Sequence, residues 1–173
     1  MTVDEFYIHF ASAGMAVQRK YKVPYLSALA QCALETGWGK SKPGNMCFGI
    51  KITPSYTGKT QELTTTEYVD GVKQTVKSKF RAYDSIEESF LDYGNFLTVN
   101  PRYKNAFNYP NDPYRFCEEV AKAGYATDPN YYSKLKSILD KLKGCEASSS
   151  DNSSILLSFG LLAIGGILAY FLK

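Results

Sequence analysis

The sequence lacks several features on which common catalytic and metal sites are built. It contains one histidine, His9, so a Ser/His/Asp or Cys/His catalytic constellation would depend on that residue alone. Its four cysteines show neither a Cys-x-x-Cys spacing nor a cluster with histidine, which argues against a zinc site. We therefore expect no metal and no cofactor.

A large excess of charge of one sign is also missing. The 173 residues include 20 basic and 17 acidic side chains, and the formal net charge is +3. A protein that binds nucleic acid mainly through its phosphates needs a more basic surface than this balance provides. We therefore expect no nucleic-acid partner, and the hydrophobic share of 45% argues against a disordered chain.

The end of the sequence differs from the rest in its apolar composition. Residues 155–172 form an uncharged run of 18 residues (ILLSFGLLAIGGILAYFL), which as a helix would measure roughly 27 Å and match the hydrocarbon core of a bilayer. The serine-rich stretch before it is typical of a flexible linker. This pattern predicts three parts: a globular domain over residues 1–143, a linker over 144–154 and a transmembrane helix over 155–172.

The spacing of apolar residues and the helix caps predict an α+β domain that is mostly helical. Apolar positions recur with helical spacing over residues 4–22 and 25–36. Residues 63–80 have strand composition around Asp70-Gly71, which is a strong signal for a β-hairpin. Three further helices are predicted to follow capping residues, which are Ser85, Asp112 and Asp128.

Glu35 is the first candidate for catalysis. It follows a run of apolar residues in the second predicted helix and precedes Gly37-Trp38-Gly39. A carboxyl group against apolar and aromatic surface is desolvated, which raises its pKa and suits a general acid. The alternative is a structural glutamate in the last turn of a helix, paired with Lys40 or Lys42.

Glu67 in the predicted hairpin is the second candidate. If Asp70-Gly71 forms the loop, Glu67 lies opposite Gln74 near the tip of the hairpin. Glycoside hydrolysis commonly uses two carboxylates on either side of the scissile bond, and a helix end and a hairpin could supply them. The alternative is a solvated strand residue that pairs with Lys73 or Lys77.

Short blocks around these two carboxylates carry a family resemblance. The first is ALETGWGK at residues 33–40, followed by PGN at 43–45 and FGIK at 48–51. Further blocks follow in order, and they are TTTEY at 64–68, FRAYDS at 80–85, NPRY at 100–103 and GYATDPNY at 124–131. Together they resemble the N-acetylglucosaminidase family of peptidoglycan hydrolases, glycoside hydrolase family 73, which has a mannosyl-glycoprotein endo-beta-N-acetylglucosaminidase-like domain.

The resemblance implies a lysozyme-like fold that cuts the β-1,4 bond after N-acetylglucosamine in peptidoglycan glycan strands. Matched residue by residue, the catalytic acid falls on Glu35, a second acidic residue on Glu67, and a cleft tyrosine that supports the reacting sugar on Tyr125. The resemblance thus implies that these three are the catalytic residues. The role of the second acid varies in the family, and the 2-acetamido group of the substrate can take it over. The matched blocks also hold the residues that we expect to bind substrate, which are Trp38, Asn45, Phe48, Tyr68 and Tyr103.

The flanks of the domain predict an unusual setting. Residues 1–10 (MTVDEFYIHF) are polar and acidic, unlike a secretion signal, while the predicted transmembrane helix would bind a lipid bilayer. We therefore expect a single-pass membrane protein in the internal membrane of a bacteriophage virion, with virion structural proteins as possible partners, that opens the wall during infection. The alternative is a host-lysis enzyme on the host inner membrane.

Two other functions stay open at the level of sequence. A lytic transglycosylase shares the lysozyme-like fold and needs one catalytic glutamate, but it leaves anhydro sugar ends. A wall-binding structural membrane protein could keep the fold without activity. The joint presence of Glu35, Glu67 and Tyr125 speaks against this last alternative.

Overall fold

The computed structural model describes residues 1–69 and 72–146. The side chains of residues 66–73 and all of residues 147–173 lie outside the described part. Within it, the fold consists of helices packed around a shared core, with a two-stranded antiparallel hairpin inserted between two helical groups. This is the α+β arrangement that the sequence predicts.

The first two helices form as the sequence pattern indicates. Helix α1 (Val3–Tyr21) begins with a capping box, in which the Thr2 hydroxyl accepts a hydrogen bond from the Glu5 backbone N–H and the Glu5 carboxylate accepts one from the Thr2 N–H. Helix α2 (Tyr25–Thr36) follows after a short turn. Nine of its twelve residues are buried, so α2 is the central element of the core.

The hairpin has the predicted register. Strand β1 (Thr60–Val69) pairs with strand β2 (Val72–Arg81), and the backbone of Glu67 lies opposite that of Gln74. At the base of the hairpin, the backbone N–H of Arg81 donates to the carbonyl of Ile50 over 2.9 Å. This pairing attaches the hairpin to the segment that leads from α2.

The second helical group contains one element that the sequence did not predict. Helix α3 (Ile86–Val99) is capped by the Ser85 hydroxyl, and α4 (Pro113–Lys122) by the Asp112 carboxylate. Between them, Pro101–Asn108 form a 3-10 helix. A last helix, α5, covers residues 131–146, and Asp128 caps its start by accepting a hydrogen bond from the Asn130 N–H over 2.9 Å.

Helix α5 closes the core against α1 and α2. Its inward residues are buried leucines and an isoleucine, which pack into the same cluster as the apolar faces of α1, α2 and α3. Near its end, the Tyr25 hydroxyl donates to Glu146. The helix continues through residues 144–146, which the sequence analysis placed in the linker.

The membrane prediction needs correction. Residues 155–172 lie outside the described residues, and no helix in the described part is both long and apolar enough to cross a bilayer. The longest of these helices, α1, has 19 residues but carries charged residues in its first and last turns. The predicted localisation, in a virion or host inner membrane, is contradicted, and we retain neither it nor the bilayer and virion partners that depended on it.

Candidate active site

Glu35 lies in the last turn of α2, where the chain leaves the helix through a fixed turn. The Thr36 hydroxyl donates to the carbonyl of Cys32 over 2.6 Å and accepts from the backbone N–H of Gly39 over 2.8 Å. Gly37 has a left-handed conformation with φ of +56°, which glycine adopts at low cost. The hydrogen bonds of Thr36 and the turn at Gly37 therefore fix the end of the helix that carries Glu35.

Glu35 lines a cleft of about 430 Å³ between the helical core and the segment before the hairpin. One wall is the segment from Phe48 to Thr53, and the opposite wall comes from α3, the 3-10 helix and the loop before α5. The side chains on that opposite wall are Phe96, Arg102, Tyr103 and Tyr125. The cleft therefore combines one carboxylate, aromatic surface and two cations, Lys51 and Arg102.

The surroundings of Glu35 favour its protonated form. The residue keeps access to solvent through the cleft, yet the protein around its carboxyl group desolvates it, and this burial raises its pKa above the ordinary value. A hydrogen bond from the Tyr131 hydroxyl to Oε1, at 3.4 Å, acts in the opposite direction and lowers the pKa. Desolvation is the larger effect, so Glu35 suits the donation of a proton.

Tyr125 lies in the same cleft as Glu35, as its place in the GYATDPNY block predicts. Its ring stacks on that of Tyr131, with centroids 5.9 Å apart and planes 19° from parallel. Its hydroxyl donates to the carbonyl of Phe48 over 3.4 Å, which joins the two walls of the cleft. Burial raises the pKa of Tyr125 well above its ordinary value, so it acts as a neutral hydrogen-bonding group.

Two of the predicted substrate-binding residues also line the cleft. Phe48 is buried and stacks on Tyr93 at a centroid distance of 4.0 Å. Tyr103 is buried beside Tyr125, and its hydroxyl has no hydrogen-bond partner among the described residues. Both rings are packed into the walls of the cleft and fix its shape.

Two other predicted substrate-binding residues, Trp38 and Asn45, have different surroundings. Trp38 packs edge-on against Phe6 of α1 at 5.3 Å, and it is not among the described residues that line the cleft. Asn45 donates through its side-chain amide to the carbonyl of Tyr83 over 3.3 Å, so it links its loop to the end of the hairpin. Their substrate-binding role stays a prediction.

The hairpin candidates are described in their backbone alone. Glu67 and Tyr68 belong to β1, close to the turn of the hairpin. Their side chains lie outside the described part, so the distance between the carboxylates of Glu35 and Glu67 is not defined. The role of Glu67 therefore stays a prediction too.

The sequence analysis missed the residues behind Glu35. Gln31 is fully buried in α2, where it accepts a hydrogen bond from the Tyr93 hydroxyl and donates one to the Tyr131 hydroxyl over 3.0 Å. The available signal was a polar residue within an apolar helix face, four positions before Glu35. Its partners are 62 and 100 residues away in the chain, so only the fold could identify them.

The comparison with known protein families assigns this site to a class. The family described as mannosyl-glycoprotein endo-beta-N-acetylglucosaminidase, or glucosaminidase, matches residues 11–144. The chain belongs to the glucosaminidase family. This membership confirms the predicted recognition of the domain and the prediction of a glycoside hydrolase.

Relatives of this glucosaminidase domain include the peptidoglycan hydrolase FlgJ of two bacteria. The Salmonella typhimurium protein is 42% identical over 139 residues, which are 76% of this chain and 44% of the relative. The Pseudomonas aeruginosa protein is 37% identical over 153 residues, or 84% of this chain and 38% of the relative. The chain thus spans less than half the length of these two relatives.

Solved structures of two hydrolases share the fold of this chain. The glycoside hydrolase domain of Salmonella typhimurium FlgJ aligns with a TM-score of 0.76 and 34% identity, and the match covers 91% of this chain and 99% of that one. A mutant peptidoglycan hydrolase of Sphingomonas sp. A1 aligns with a TM-score of 0.74 and 32% identity over 84% and 99% of the two chains. These likenesses confirm the predicted lysozyme-like fold with its small hairpin.

Proposed function

We propose that this chain hydrolyses the β-1,4 bond after N-acetylglucosamine in the glycan strands of peptidoglycan, with Glu35 as the general acid. The observation that carries the proposal is the position of Glu35 in an aromatic cleft, where desolvation raises its pKa. Membership of the glucosaminidase family and the likeness to FlgJ peptidoglycan hydrolases support the substrate class.

The reaction needs a proton for the leaving sugar. Glu35 donates this proton to the glycosidic oxygen while the bond from that oxygen to the anomeric carbon breaks, and positive charge develops on the sugar ring. A carboxyl group of ordinary pKa is almost fully ionised near neutral pH and has little proton to give. The raised pKa of Glu35 therefore supports its role as the acid.

The aromatic walls of the cleft suit a sugar chain. The C–H faces of a hexose ring are apolar and pack against aromatic rings such as that of Phe96, which lines the cleft and is only partly buried. Tyr103 is buried in the wall of the cleft, where its ring packs against those of Phe96 and Tyr125. We assign Phe48, Tyr103 and Tyr125 to substrate binding on this basis.

The second chemical role has two candidates. Glu67 can activate water or act as a nucleophile if its carboxylate reaches the sugar from the hairpin side. Alternatively, the 2-acetamido group of the substrate stabilises the developing positive charge, and Tyr125 supports the reacting sugar. We assign the role to Glu67 because the hairpin carries it close to its turn.

The test compares Glu35→Gln with the wild type on purified peptidoglycan. The amide keeps the shape of the side chain but supplies no acidic proton, so the rate should fall about 10²- to 10⁴-fold while the fold persists. Glu87→Gln, at an exposed glutamate in the first turn of α3, is the matched control and should keep full activity. A Glu35→Gln variant with more than about a tenth of the wild-type rate would remove Glu35 from the mechanism.

The chemistry of the product ends decides the reaction type. Mass analysis of the digested glycan should find reducing N-acetylglucosamine ends. Anhydro ends would instead identify a lytic transglycosylase, and an intact glycan after prolonged incubation would indicate a wall-binding protein without activity.

A further inference from the structure

A chain of hydrogen bonds leads from the core to the carboxyl group of Glu35. The Tyr93 hydroxyl donates to Gln31 Oε1, Gln31 Nε2 donates to the Tyr131 hydroxyl over 3.0 Å, and the Tyr131 hydroxyl donates to Glu35 Oε1 over 3.4 Å. Three helices contribute to it, since Tyr93 belongs to α3 and Tyr131 to α5, while Gln31 and Glu35 belong to α2. This series of hydrogen bonds therefore links Glu35 to the packed core.

The direction of these bonds is fixed by chemistry. An ionised carboxylate and the carbonyl oxygen of a protonated carboxyl group both accept hydrogen bonds, so in either state of Glu35 the single proton of the Tyr131 hydroxyl points to Oε1. That hydroxyl must then accept from Gln31, which turns Nε2 of the amide towards Tyr131 and Oε1 towards Tyr93. Gln31 and Tyr93 are fully buried, and a buried amide without partners would cost folding free energy, so the arrangement has little freedom to reverse.

This arrangement distinguishes the two oxygens of Glu35. Resting on the proposed function, we infer that Tyr131, held by Gln31, is a positioning residue for the general acid: its hydroxyl occupies Oε1 and thereby directs the transferable proton to Oε2. In the reaction, the O–H bond at Oε2 breaks, its proton forms a bond with the glycosidic oxygen, and Tyr131 keeps its own proton. Afterwards Tyr131 stabilises the carboxylate that remains.

The other groups around Glu35 do not take this role. The charged and titratable side chains of the cleft are Lys51 before the hairpin, Arg102 and Tyr103 in the 3-10 helix, and Tyr125 before α5. Among the described contacts, the side-chain hydrogen bond that lowers the pKa of Glu35 comes from Tyr131. Burial raises the pKa values of Tyr103 and Tyr125, so neither tyrosine ionises together with the acid.

Tyr131→Phe tests the inference because it removes the hydroxyl and keeps the ring that stacks on Tyr125. We expect kcat to fall about tenfold or more, as for the loss of a hydrogen bond to a charged group, with little change in KM, since Tyr131 is not among the described residues lining the cleft. Loss of the donor also raises the pKa of Glu35. Activity requires the protonated acid. The alkaline limb of the pH–activity profile, where activity falls with rising pH, should therefore move to higher pH.

Gln31→Leu provides the second variant. It leaves the Tyr131 hydroxyl in place but removes the amide that orients it, so the limb should move in the same direction by a smaller amount. The double variant should equal Tyr131→Phe alone, because Gln31 acts only through Tyr131. Tyr7→Phe is the matched control, since it removes a hydroxyl that pairs with Tyr25 at the other end of α2 from Glu35, and it should move neither kcat nor the limb.

The outcomes separate this inference from the proposed function. An inactive Glu35→Gln with an unmoved limb in both Tyr131→Phe and Gln31→Leu would overturn the positioning role alone. A fall in kcat without a limb shift would indicate a merely structural role and would overturn it as well. An active Glu35→Gln would instead overturn the proposed function. If Tyr131→Phe fails to fold by circular dichroism, the limb of Gln31→Leu decides.

Discussion

The residues around Glu35 have opposite effects on the pKa of its carboxyl group. Desolvation by the walls of the cleft raises the pKa, and the Tyr131 hydroxyl lowers it by a smaller amount. The carboxyl group therefore keeps its proton to higher pH than a solvated glutamate, yet its conjugate base still has a hydrogen-bond donor. Such a balance suits a group that must first donate a proton and then regain it.

This balance predicts a cost in stability. A glutamate whose pKa is raised in the folded state supports the fold fully below the pKa of the unfolded chain and loses that support as pH rises through the folded pKa. Glu35→Gln carries no charge at any pH, so near neutral pH it should melt at a higher temperature than the wild type. Calorimetric melting curves across pH should converge below about pH 4. An equal Tm at neutral pH would contradict the desolvation of Glu35.

Glu67 and Tyr125 define the second prediction at this scale. If Glu67 activates water, Glu67→Gln should lose about as much activity as Glu35→Gln, and azide should restore turnover to Glu67→Ala, since a small anion can replace the missing group. If the acetamido group of the substrate does this work, Tyr125→Phe should reduce kcat more than Glu67→Gln. Rates on purified peptidoglycan distinguish the two, and near-normal rates in both variants would dismiss both roles.

The hairpin and the helices are joined by a few specific contacts, one of which is an ion pair between β2 and α3. Arg81 of β2 donates to both carboxylate oxygens of Asp92 in α3 over 2.9 Å, and the Tyr83 hydroxyl donates to the same carboxylate over 2.7 Å. The guanidinium group also lies 4.6 Å from the centroid of the Tyr56 ring. These contacts fix the base of the hairpin that carries Glu67.

Asp92→Asn should therefore weaken both the fold and the site. The side chains of Arg81 and Asp92 are only 12% and 20% exposed, and loss of the charged partner should cost about 2 kcal/mol in free energy of unfolding. We also expect kcat/KM to fall, because the hairpin loses its anchor. Asp84→Asn is the matched control: its pair with Lys59 is exposed, so urea unfolding should change little. Equal losses in the two variants would contradict an anchoring role.

The sequence predicted the helices and strands better than it predicted the tertiary contacts between them. Helix α2 and the hairpin register follow from apolar spacing and from Asp70-Gly71, which are local signals. The 3-10 helix after Asn100 was missed because its short turn leaves no helical apolar stripe to read. Trp38 was predicted to bind substrate from its place in the ALETGWGK block, and that role stays a prediction. Gly37, Trp38 and Gly39 all have positive φ, and the packing of the Trp38 ring against Phe6 of α1 is a contact that local sequence signals do not predict.

The whole molecule depends on α5, which ends the described part of the chain. Leu135, Leu139 and Leu142 are fully buried, and Tyr131 at its start contacts Glu35. Near its other end, the Cys145 thiol lies 3.0 Å from the Asp4 carboxylate of α1. This helix therefore joins the first residues of the domain to the cleft that holds Glu35.

Two truncations test this dependence. A protein of residues 1–146 keeps every contact described above and should match the full chain in kcat/KM and Tm. A protein of residues 1–130 loses three fully buried leucines, each worth about 2–5 kcal/mol, and should fail to fold. Circular dichroism and hydrolysis assays measure both, and loss of activity in residues 1–146 would show that the chain beyond them takes part in the reaction.

The position of Trp38 makes the protein suited to optical study of its folding. The indole packs against Phe6 of α1, and the ammonium group of Lys141 in α5 lies 6.0 Å from its ring centroid. Since this is the one tryptophan in the sequence, its fluorescence reports the junction of α1, α2 and α5 without competing emitters of its kind. The intrinsic emission should therefore record the docking of the first and last helices during refolding.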